Sequence, residues 1–382
     1  MAAYLQLGHD SWNLVDDPET GDFAGIVLSP VNDGPAAVRD RLIRLGDTRL
    51  GLEVILDPQL YNPAADRGSL NEWSYYPADF ETADRSDARW WAARGREVVA
   101  DAVALGIEAV CSPAYMARSY DDIYYRFIVE IADETRAEAS RAGLDTLLTA
   151  IVPLRDLAQP NRAFEIASIL SGSDCDRIYL TFLCEDIQQR EPMRDGSGLA
   201  TAVHLLRLLS RQMRVHVAFC SHDLVVWKCA GATDVSTGKF MNLRRFSPSR
   251  WQEDETNGRI VSYWNEGALL TLLRDQDVLR LNRAGWYDGE VFGDNEAAAR
   301  IAQILRSSSG EPWLAHSWRQ YLRWVSTVEE RWRSPAAAED CLESSDRKWG
   351  DIERARIQFT DRFNDGVHVR TWLNAVREGA AR

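Results

Sequence analysis

The sequence has none of the short motifs that would assign a reaction directly. Its 382 residues contain no GxSxG, HExxH or GxxxxGK sequence, which argues against a nucleophile-elbow hydrolase, a zincin and a P-loop protein. The six cysteines include no CxxC pair, which excludes a zinc ribbon. Several of them lie in apolar runs, where a thiol packs as a small hydrophobic group, so we expect no disulfides.

Long apolar segments are also missing. No uninterrupted apolar run approaches the roughly 18 residues that a membrane-spanning helix needs. The first eight residues lack the basic and then apolar layout of a signal peptide. We therefore expect a cytoplasmic protein that does not enter a membrane.

Positive charge is scarce and unevenly distributed. The net charge is −14, yet residues 300–382 hold 13 Arg and 1 Lys against 12 acidic residues, so residues 1–299 carry −16. An acidic surface repels nucleic acid and anionic membranes. Whether the protein binds nucleic acid stays open, and any such binding would have to use basic residues of a loop or of the C-terminal part.

Short apolar runs alternate with longer amphipathic stretches along most of the chain. This order predicts a parallel sheet with helices outside it, and eight such runs predict a (βα)8 TIM-type barrel. The predicted strands are Tyr4–Gly8, Gly25–Pro30, Leu50–Asp57, Ile107–Ser112, Thr146–Pro153, Arg177–Cys184, Val215–Cys220 and Ala232–Ser236.

The last third of the chain has a different pattern. Residues 265–283 fit a helix that would close the barrel as its eighth, and a Gly- and Asp-rich break follows at 285–295. We therefore predict a barrel over residues 1–284 and an all-helical extension over 285–382. Half of the 14 tryptophans lie between Trp286 and Trp372, where they would pack the extension onto the barrel or form an interface with a protein partner.

Polar and titratable residues follow the predicted strands. Because barrel enzymes place their sites at the carboxyl ends of the strands, we expect Asp57, Glu185 and His222 to be catalytic. Carboxylates and an imidazole are suited to acid–base chemistry, since burial and neighbouring groups shift their pKa values. Ser29, at the end of the second strand, is a candidate substrate-binding residue.

A long aromatic loop follows the third predicted strand. Residues 59–85 contain Tyr61, Trp73, Tyr75, Tyr76 and Phe80, a composition typical of either a lid or a self-packed surface loop. Tyr61 is the aromatic residue of this loop that lies nearest to the strand end. We expect it to contact substrate.

The segment after the eighth predicted strand is basic. Lys239, Arg244 and Arg245 lie within seven residues of one another, and late loops of barrels often bind phosphate. The sequence therefore predicts that these three side chains bind an anionic small molecule or nucleotide. The alternative is that Arg244 and Arg245 pair with acidic groups of the barrel.

Metal binding has weaker support. His9, His222 and Asp234 could supply nitrogen and oxygen ligands for zinc, manganese or iron, together with Asp57 and Glu185, if the barrel register brings them together. The spacing matches no known ligand motif, so no metal or other cofactor is assigned.

Two functions remain open at this point. The first is an enzyme that uses acid–base chemistry on an anionic small-molecule or nucleotide-like substrate at the carboxyl end of the barrel. The second is a non-catalytic scaffold or subunit that uses the helical extension as its interface. They differ in one observable respect: an enzyme needs a pocket at the barrel mouth, whereas a scaffold leaves the mouth filled.

Overall fold

Eight parallel strands form a closed barrel in the computed structural model, which describes residues 2–65, 67–159, 161–184, 190–251, 261–287, 295–307 and 309–382. Each strand pairs with the next one in sequence, and β8 returns to pair with β1. The strands are β1 Ala2–Gln6, β2 Gly25–Leu28, β3 Glu53–Leu56, β4 Ala109–Cys111, β5 Asp145–Pro153, β6 Arg177–Leu183, β7 Arg214–Val217 and β8 Asp234–Thr237.

The predicted TIM-type barrel with a helical C-terminal region is thus confirmed. Every predicted strand overlaps an observed one, although the bounds shift by one to three residues at most ends. The strands are buried on both faces, as in Gly25–Leu28, where all four residues are buried. Helices cover the outside of a parallel barrel and side chains fill its inside, which explains runs that are apolar without alternation.

Helices occupy the connections between the strands and most of the C-terminal region. Several begin at an aspartate whose side chain accepts a backbone N–H, as Asp87, Asp121 and Asp195 do. In the part of the chain that the structure describes, no helix is both long and apolar enough to cross a bilayer. The helices are α1 Pro35–Arg44, α2 Ala88–Leu105, α3 Asp122–Arg141, α4 Arg162–Leu170, α5 Gly196–Leu209, α6 Leu224–Ala230, α7 Asp275–Arg283, α8 Glu296–Ser307, α9 Leu314–Ser326, α10 Val328–Arg331, α11 Pro335–Arg354 and α12 Val367–Ala381.

The helix predicted over residues 265–283 is wrong in its first half. Trp264–Glu266 (β9) and Thr271–Leu273 (β10) form an antiparallel hairpin, and α7 begins only at Asp275. The apolar run 269–273 is too short for its periodicity to separate a strand from a helix. Contacts with later residues hold the hairpin in place: the Thr271 hydroxyl donates to Asn364 and the Trp349 indole donates to the Leu269 carbonyl.

The C-terminal helices pack against one side of the barrel. Helix α12 lies on α5 and α11 lies on α6. Helix α9 crosses the carboxyl end of β8, where the hydroxyls of Tyr321 and Thr237 are 2.8 Å apart. Trp324, Trp332, Trp349 and Trp372 are all buried in this packing. The division at residue 284 stays a prediction, and the hairpin contacts show that residues before it pack with residues after it.

Charged side chains form a network at the amino end of the barrel. The Arg177 guanidinium contacts Glu53 and lies 2.7 Å from Asp145, while Tyr4 donates to Glu53. Arg214 pairs with Asp234, the first residue of β8. These pairs close the end of the barrel opposite to the rim where barrel enzymes bind substrates.

We expect Gly25→Ala to destabilise the protein by about 1–3 kcal/mol or more, because a β-carbon at position 25 would overlap the Glu53 carbonyl and the Tyr4 ring. Gly51→Ala is the matched control, since nothing lies within 4 Å of a β-carbon there. Urea unfolding of both variants measures the difference. Equal stabilities of the two variants would contradict the close β1–β2–β3 packing.

Candidate functional site

Aromatic rings close the carboxyl end of the barrel. The Tyr61 ring lies 5.0 Å from that of Phe246 and 4.8 Å from that of Trp251, and Phe219 packs against Phe246 at 5.1 Å. Phe246 is fixed to the rim by a bridge with Leu183 and by a hydrogen bond from the Cys184 amide. We call residues 240–251, which follow β8 and cross this end of the barrel, the mouth segment.

Asp57 lies beneath this aromatic layer, directly after β3. The Asp57 residue is 1% exposed. Its carboxylate accepts hydrogen bonds of 3.0 Å from the backbone N–H of Gln59 and from the Tyr61 hydroxyl. The Tyr61 hydroxyl is equidistant from both carboxylate oxygens. The structure therefore brings two of the sequence-predicted site residues together, Asp57 and Tyr61.

Burial raises the pKa of Asp57 to about 7, although its two hydrogen bonds and the charge of Arg250 act in the opposite direction. A carboxyl group with a pKa near neutrality can both take and return a proton at physiological pH. The same burial lowers the pKa of the Arg250 guanidinium to about 10, helped by the nearby charge of Arg67.

Ser29 connects Asp57 to the mouth segment. Its hydroxyl lies 3.2 Å from the Gln59 side-chain oxygen and 3.5 Å from Arg250, and it accepts a hydrogen bond from Asn32. Ser29 was predicted as a site residue, and it lies in the same cluster as Asp57. Gln59 and Arg250 complete a group that we call the mouth cluster: Ser29, Asp57, Gln59, Tyr61, Arg250 and Trp251.

The mouth cluster contains N–H donors that lack acceptors. Gln59 Nε2, Arg250 Nε and Trp251 Nε1 are all buried, and no described residue accepts a hydrogen bond from them. An unsatisfied buried donor is costly, and such groups are rare in folded proteins. Three in one cluster indicate a place where an oxygen-bearing ligand or water would be stabilised.

The backbone is strained around the rim. Asp10, Gln59 and Phe219 have φ values of 52°, 55° and 56°, in the left-handed region that ordinary residues avoid. They follow β1, β3 and β7 respectively. Strain of this kind is typical of functional sites, where the surrounding structure holds a residue in an unfavourable conformation.

Lys239 and Arg244 bond to groups of the protein itself. The Lys239 ammonium donates to the Asp10 carbonyl and lies over the rings of Phe240 and Trp318. Arg244 donates to the carbonyls of Gly238 and Lys239, and its guanidinium stacks 3.4 Å from the centre of the Tyr321 ring. Both side chains hold the mouth segment against the barrel and α9, and their contact with an anionic ligand stays a prediction.

Arg245 points away from the mouth cluster. It lines a cleft between the barrel and the β9–β10 hairpin, together with His222, Ser221 and Thr271. His222 itself is buried, and its Nε2 lies 2.6 Å from the Asn265 side-chain oxygen. His222 and Asp57 thus lie at the same end of the barrel, but Asp57 is not among the residues that line this cleft. Glu185 lies outside the described residues.

The candidate metal ligands do not converge. Asp234 is the first residue of β8 and pairs with Arg214 at the amino end, whereas His222 follows β7 at the carboxyl end. His9 is exposed beside Asp10 on the rim. The three cannot hold one ion, and among the described residues no three His, Cys, Asp or Glu side chains are arranged to bind a metal. The prediction failed because Asp234 was placed inside a strand rather than at its start.

Sequence reasoning missed the residues that complete the mouth cluster. Gln59 is two residues after Asp57, and a polar side chain so close to a strand end could have been included. Arg250 is part of a polar stretch far from any predicted strand. The neighbouring Trp251 was the one sign in the sequence that this stretch is buried.

No family model and no curated protein matches the chain. Solved structures match it at low identity. A D-psicose 3-epimerase from Clostridium cellulolyticum H10 is 11% identical with a TM-score of 0.38, covering 80% of this chain and 99% of that one. An L-ribulose 3-epimerase is 15% identical with a TM-score of 0.37, covering 84% and 97%. The triosephosphate isomerase of Bartonella henselae is 10% identical with a TM-score of 0.35, covering 62% and 92%.

All of these TM-scores are below 0.5, so the barrel of this chain rests on its own strand order. At such identities and TM-scores the matches carry no reaction, ligand or residue role to this chain.

We expect Arg244→Ala to lower the free energy of unfolding by about 2–4 kcal/mol, because it removes two buried hydrogen bonds and the contact with Tyr321. Chemical denaturation measures the loss. Arg211→Ala removes an exposed arginine near the start of β7 and should change the stability by less than about 0.5 kcal/mol. Equal effects of the two variants would contradict the structural role of Arg244.

Acid should destabilise the fold through its buried histidines. Burial lowers the pKa of His216 and His222 to about 3 and that of His368 to about 4. Each histidine therefore favours folding above its unfolded pKa of about 6.5, and this contribution is lost as the pH falls toward the folded value. Asp57 acts in the opposite direction, because its raised pKa lets the folded state bind a proton first.

His222→Gln should reduce this acid sensitivity. Removing one titrating imidazole lowers the slope of unfolding free energy against pH by about 1.4 kcal/mol per pH unit between pH 6 and 4. Urea titrations at several pH values measure the slope. Gln212→Ala is the control, because it removes an exposed side chain that carries no titrating group. An unchanged slope in His222→Gln would show that this side chain does not stay neutral in the fold.

Proposed function

We propose that this chain is a barrel enzyme that transfers protons on a small anionic substrate at the carboxyl end of the barrel. The mouth cluster carries the proposal: it joins a carboxyl group with a pKa of about 7 to three buried N–H donors that lack acceptors. A base next to unpaired donors is what proton abstraction beside a carbonyl requires.

Four members of the cluster have a direct role in this reaction. The Asp57 carboxylate takes a proton from the carbon next to the substrate carbonyl, and Tyr61 orients that carboxylate. Negative charge then develops on the carbonyl oxygen, where Gln59 Nε2 and Arg250 Nε supply hydrogen bonds. Asp57 returns the proton to the substrate, so no other reactant is consumed.

The buried guanidinium of Arg250 is the reason to expect an anionic substrate. The guanidinium is buried over the rings of Phe219 and Trp251, and the charge of Asp57 acts on it without a direct ion pair between the two among the described contacts. Burying a cation without a paired anion is costly, and an anionic ligand offsets this cost. A small molecule fits this arrangement better than a nucleotide, because the aromatic layer leaves little room at the mouth. Entry requires the Trp251 side chain to move aside.

Proton exchange tests the proposal. The protein is incubated in D₂O with a panel of small hydroxycarbonyl phosphates and keto acids, and deuterium incorporation is followed by mass spectrometry. We expect at least one compound to exchange in the presence of the protein. Asp57→Asn should slow that exchange by about 10²–10⁴-fold, since the amide cannot accept the proton.

Asp156→Asn is the matched control, because this carboxylate follows β5 on the same rim but lies outside the mouth cluster. The Asp156→Asn protein should catalyse deuterium exchange into the compound at the wild-type rate. The proposal would be wrong if no compound exchanged, or if Asp57→Asn exchanged as fast as the wild type with its fold intact by circular dichroism.

A non-catalytic role is the second candidate function, and one observation favours it. Tyr61, Phe246 and Trp251 fill the barrel mouth and are each at most 2% exposed. A scaffold needs no open pocket. Against it, four tryptophans of the extension are buried inside the chain and cannot supply an interface: Trp324, Trp332, Trp349 and Trp372. The exchange experiment decides between the two.

A further inference from the structure

We infer that a second anion-binding site lies in the cleft between the barrel and the C-terminal region, with Arg245 as its central residue. The cleft is separate from the mouth cluster and goes beyond the proposed reaction. Barrel residues after β7 and β8 form one wall, and the β9–β10 hairpin with Trp372 of α12 forms the other. Arg190 lies at the edge of the cleft.

Arg245 is buried without a complete set of partners. It is 4% exposed, and its Nη1 lies inside the protein without any described hydrogen-bond acceptor. Its neighbour Arg244 is equally buried but donates to two carbonyls. The comparison shows that the mouth segment can satisfy one arginine and leaves the other with a free donor, which a bound anion would satisfy.

The other polar groups of the cleft are already occupied or are donors themselves. Asp223 attracts Arg245 through its charge, but its two oxygens accept from the Ser221 amide and the Trp227 indole. Arg190 donates to Tyr263 and lies over the ring of Phe363, which holds a second guanidinium at the edge. Glu191 also lines the cleft, so the two arginines are partly balanced by acidic groups.

The size of the cleft limits what can bind. Its cavity volume is only about 20 Å³, which leaves room for one small group beside Arg245. One oxygen of an anionic group can therefore reach Arg245, while the rest of the group lies toward Arg190. We assign the site to the phosphate or carboxylate group of a small molecule, because the planar guanidinium matches both.

Such a ligand would connect two parts of the structure. Arg245 and Ser221 belong to barrel loops, whereas Thr271 and Trp372 belong to the hairpin and to α12. Thr271 is itself bonded to Asn364, next to the start of α12. Occupation of the cleft is thus expected to strengthen the attachment of the C-terminal helices to the barrel.

Calorimetric titration of the full-length protein in chloride buffer tests the inference, with inorganic phosphate and malonate as separate probes at constant ionic strength. Binding of phosphate, of malonate or of both supports the site, and the stronger probe identifies the source of the anion. Arg245→Ala should weaken binding at least tenfold, and Arg245→Lys should weaken it severalfold because the ammonium lacks the fork.

Two further variants make the result decisive. Arg190→Ala removes an exposed side chain, so it should fold normally and weaken binding severalfold, even if Arg245→Ala does not fold. Arg211→Ala, at the amino end of the barrel, should bind as the wild type does. The inference is overturned if neither probe binds, if Arg245 and Arg190 variants bind as the wild type does, or if binding depends on Arg250 instead.

Discussion

Desolvation of the barrel mouth is the constraint on which the rest of the site depends. The mouth segment follows β8, crosses the carboxyl end and places Phe246 and Trp251 over Asp57. Without this cover, Asp57 would be an ordinary carboxylate at a strand end. The cover removes water from the Asp57 carboxyl group, the Arg250 guanidinium and the Gln59 side-chain amide. Electrostatic interactions among these three groups are strengthened as a result.

The basic residues of the mouth segment, together with Lys239 directly before it, divide into two functions. Lys239 and Arg244 are bound by backbone carbonyls and aromatic rings, so they fix the segment in place. Arg245 and Arg250 each retain a buried nitrogen without a described acceptor, one in the cleft and one in the mouth. A short stretch of chain therefore both builds the cover and presents two separate cationic groups.

The fold was predictable because it depends on a pattern that the sequence repeats. Eight apolar runs separated by amphipathic helices leave few alternatives to a barrel. Asp57, Tyr61 and Ser29 could be placed near one another for the same reason, since they follow neighbouring strands. Arg250 could not, because its position depends on how a segment without regular structure crosses the mouth. Asp234 lies in the middle of the predicted strand Ala232–Ser236, whereas β8 begins at this residue, which puts its carboxylate at the amino end of the barrel.

The directions in which side chains point could also not be predicted from the sequence. Arg244 and Arg245 are adjacent, yet one points to Tyr321 and the other to the cleft, because neighbouring residues of an extended or turning chain face different sides. The hairpin at 264–273 was missed because a run as short as 269–273 fits a short strand and a helical turn equally well.

Proton transfer by Asp57 depends on the burial that raises its pKa to about 7. The most direct measurement is carbon-13 NMR of the protein labelled at the aspartate side-chain carboxyl carbons, titrated from pH 4 to 9, with Asp57→Asn used to assign the signal. We expect one carboxyl resonance that titrates with a midpoint of about pH 7 in the wild type and is absent from Asp57→Asn. A midpoint for Asp57 near the ordinary value of about 4 would contradict it.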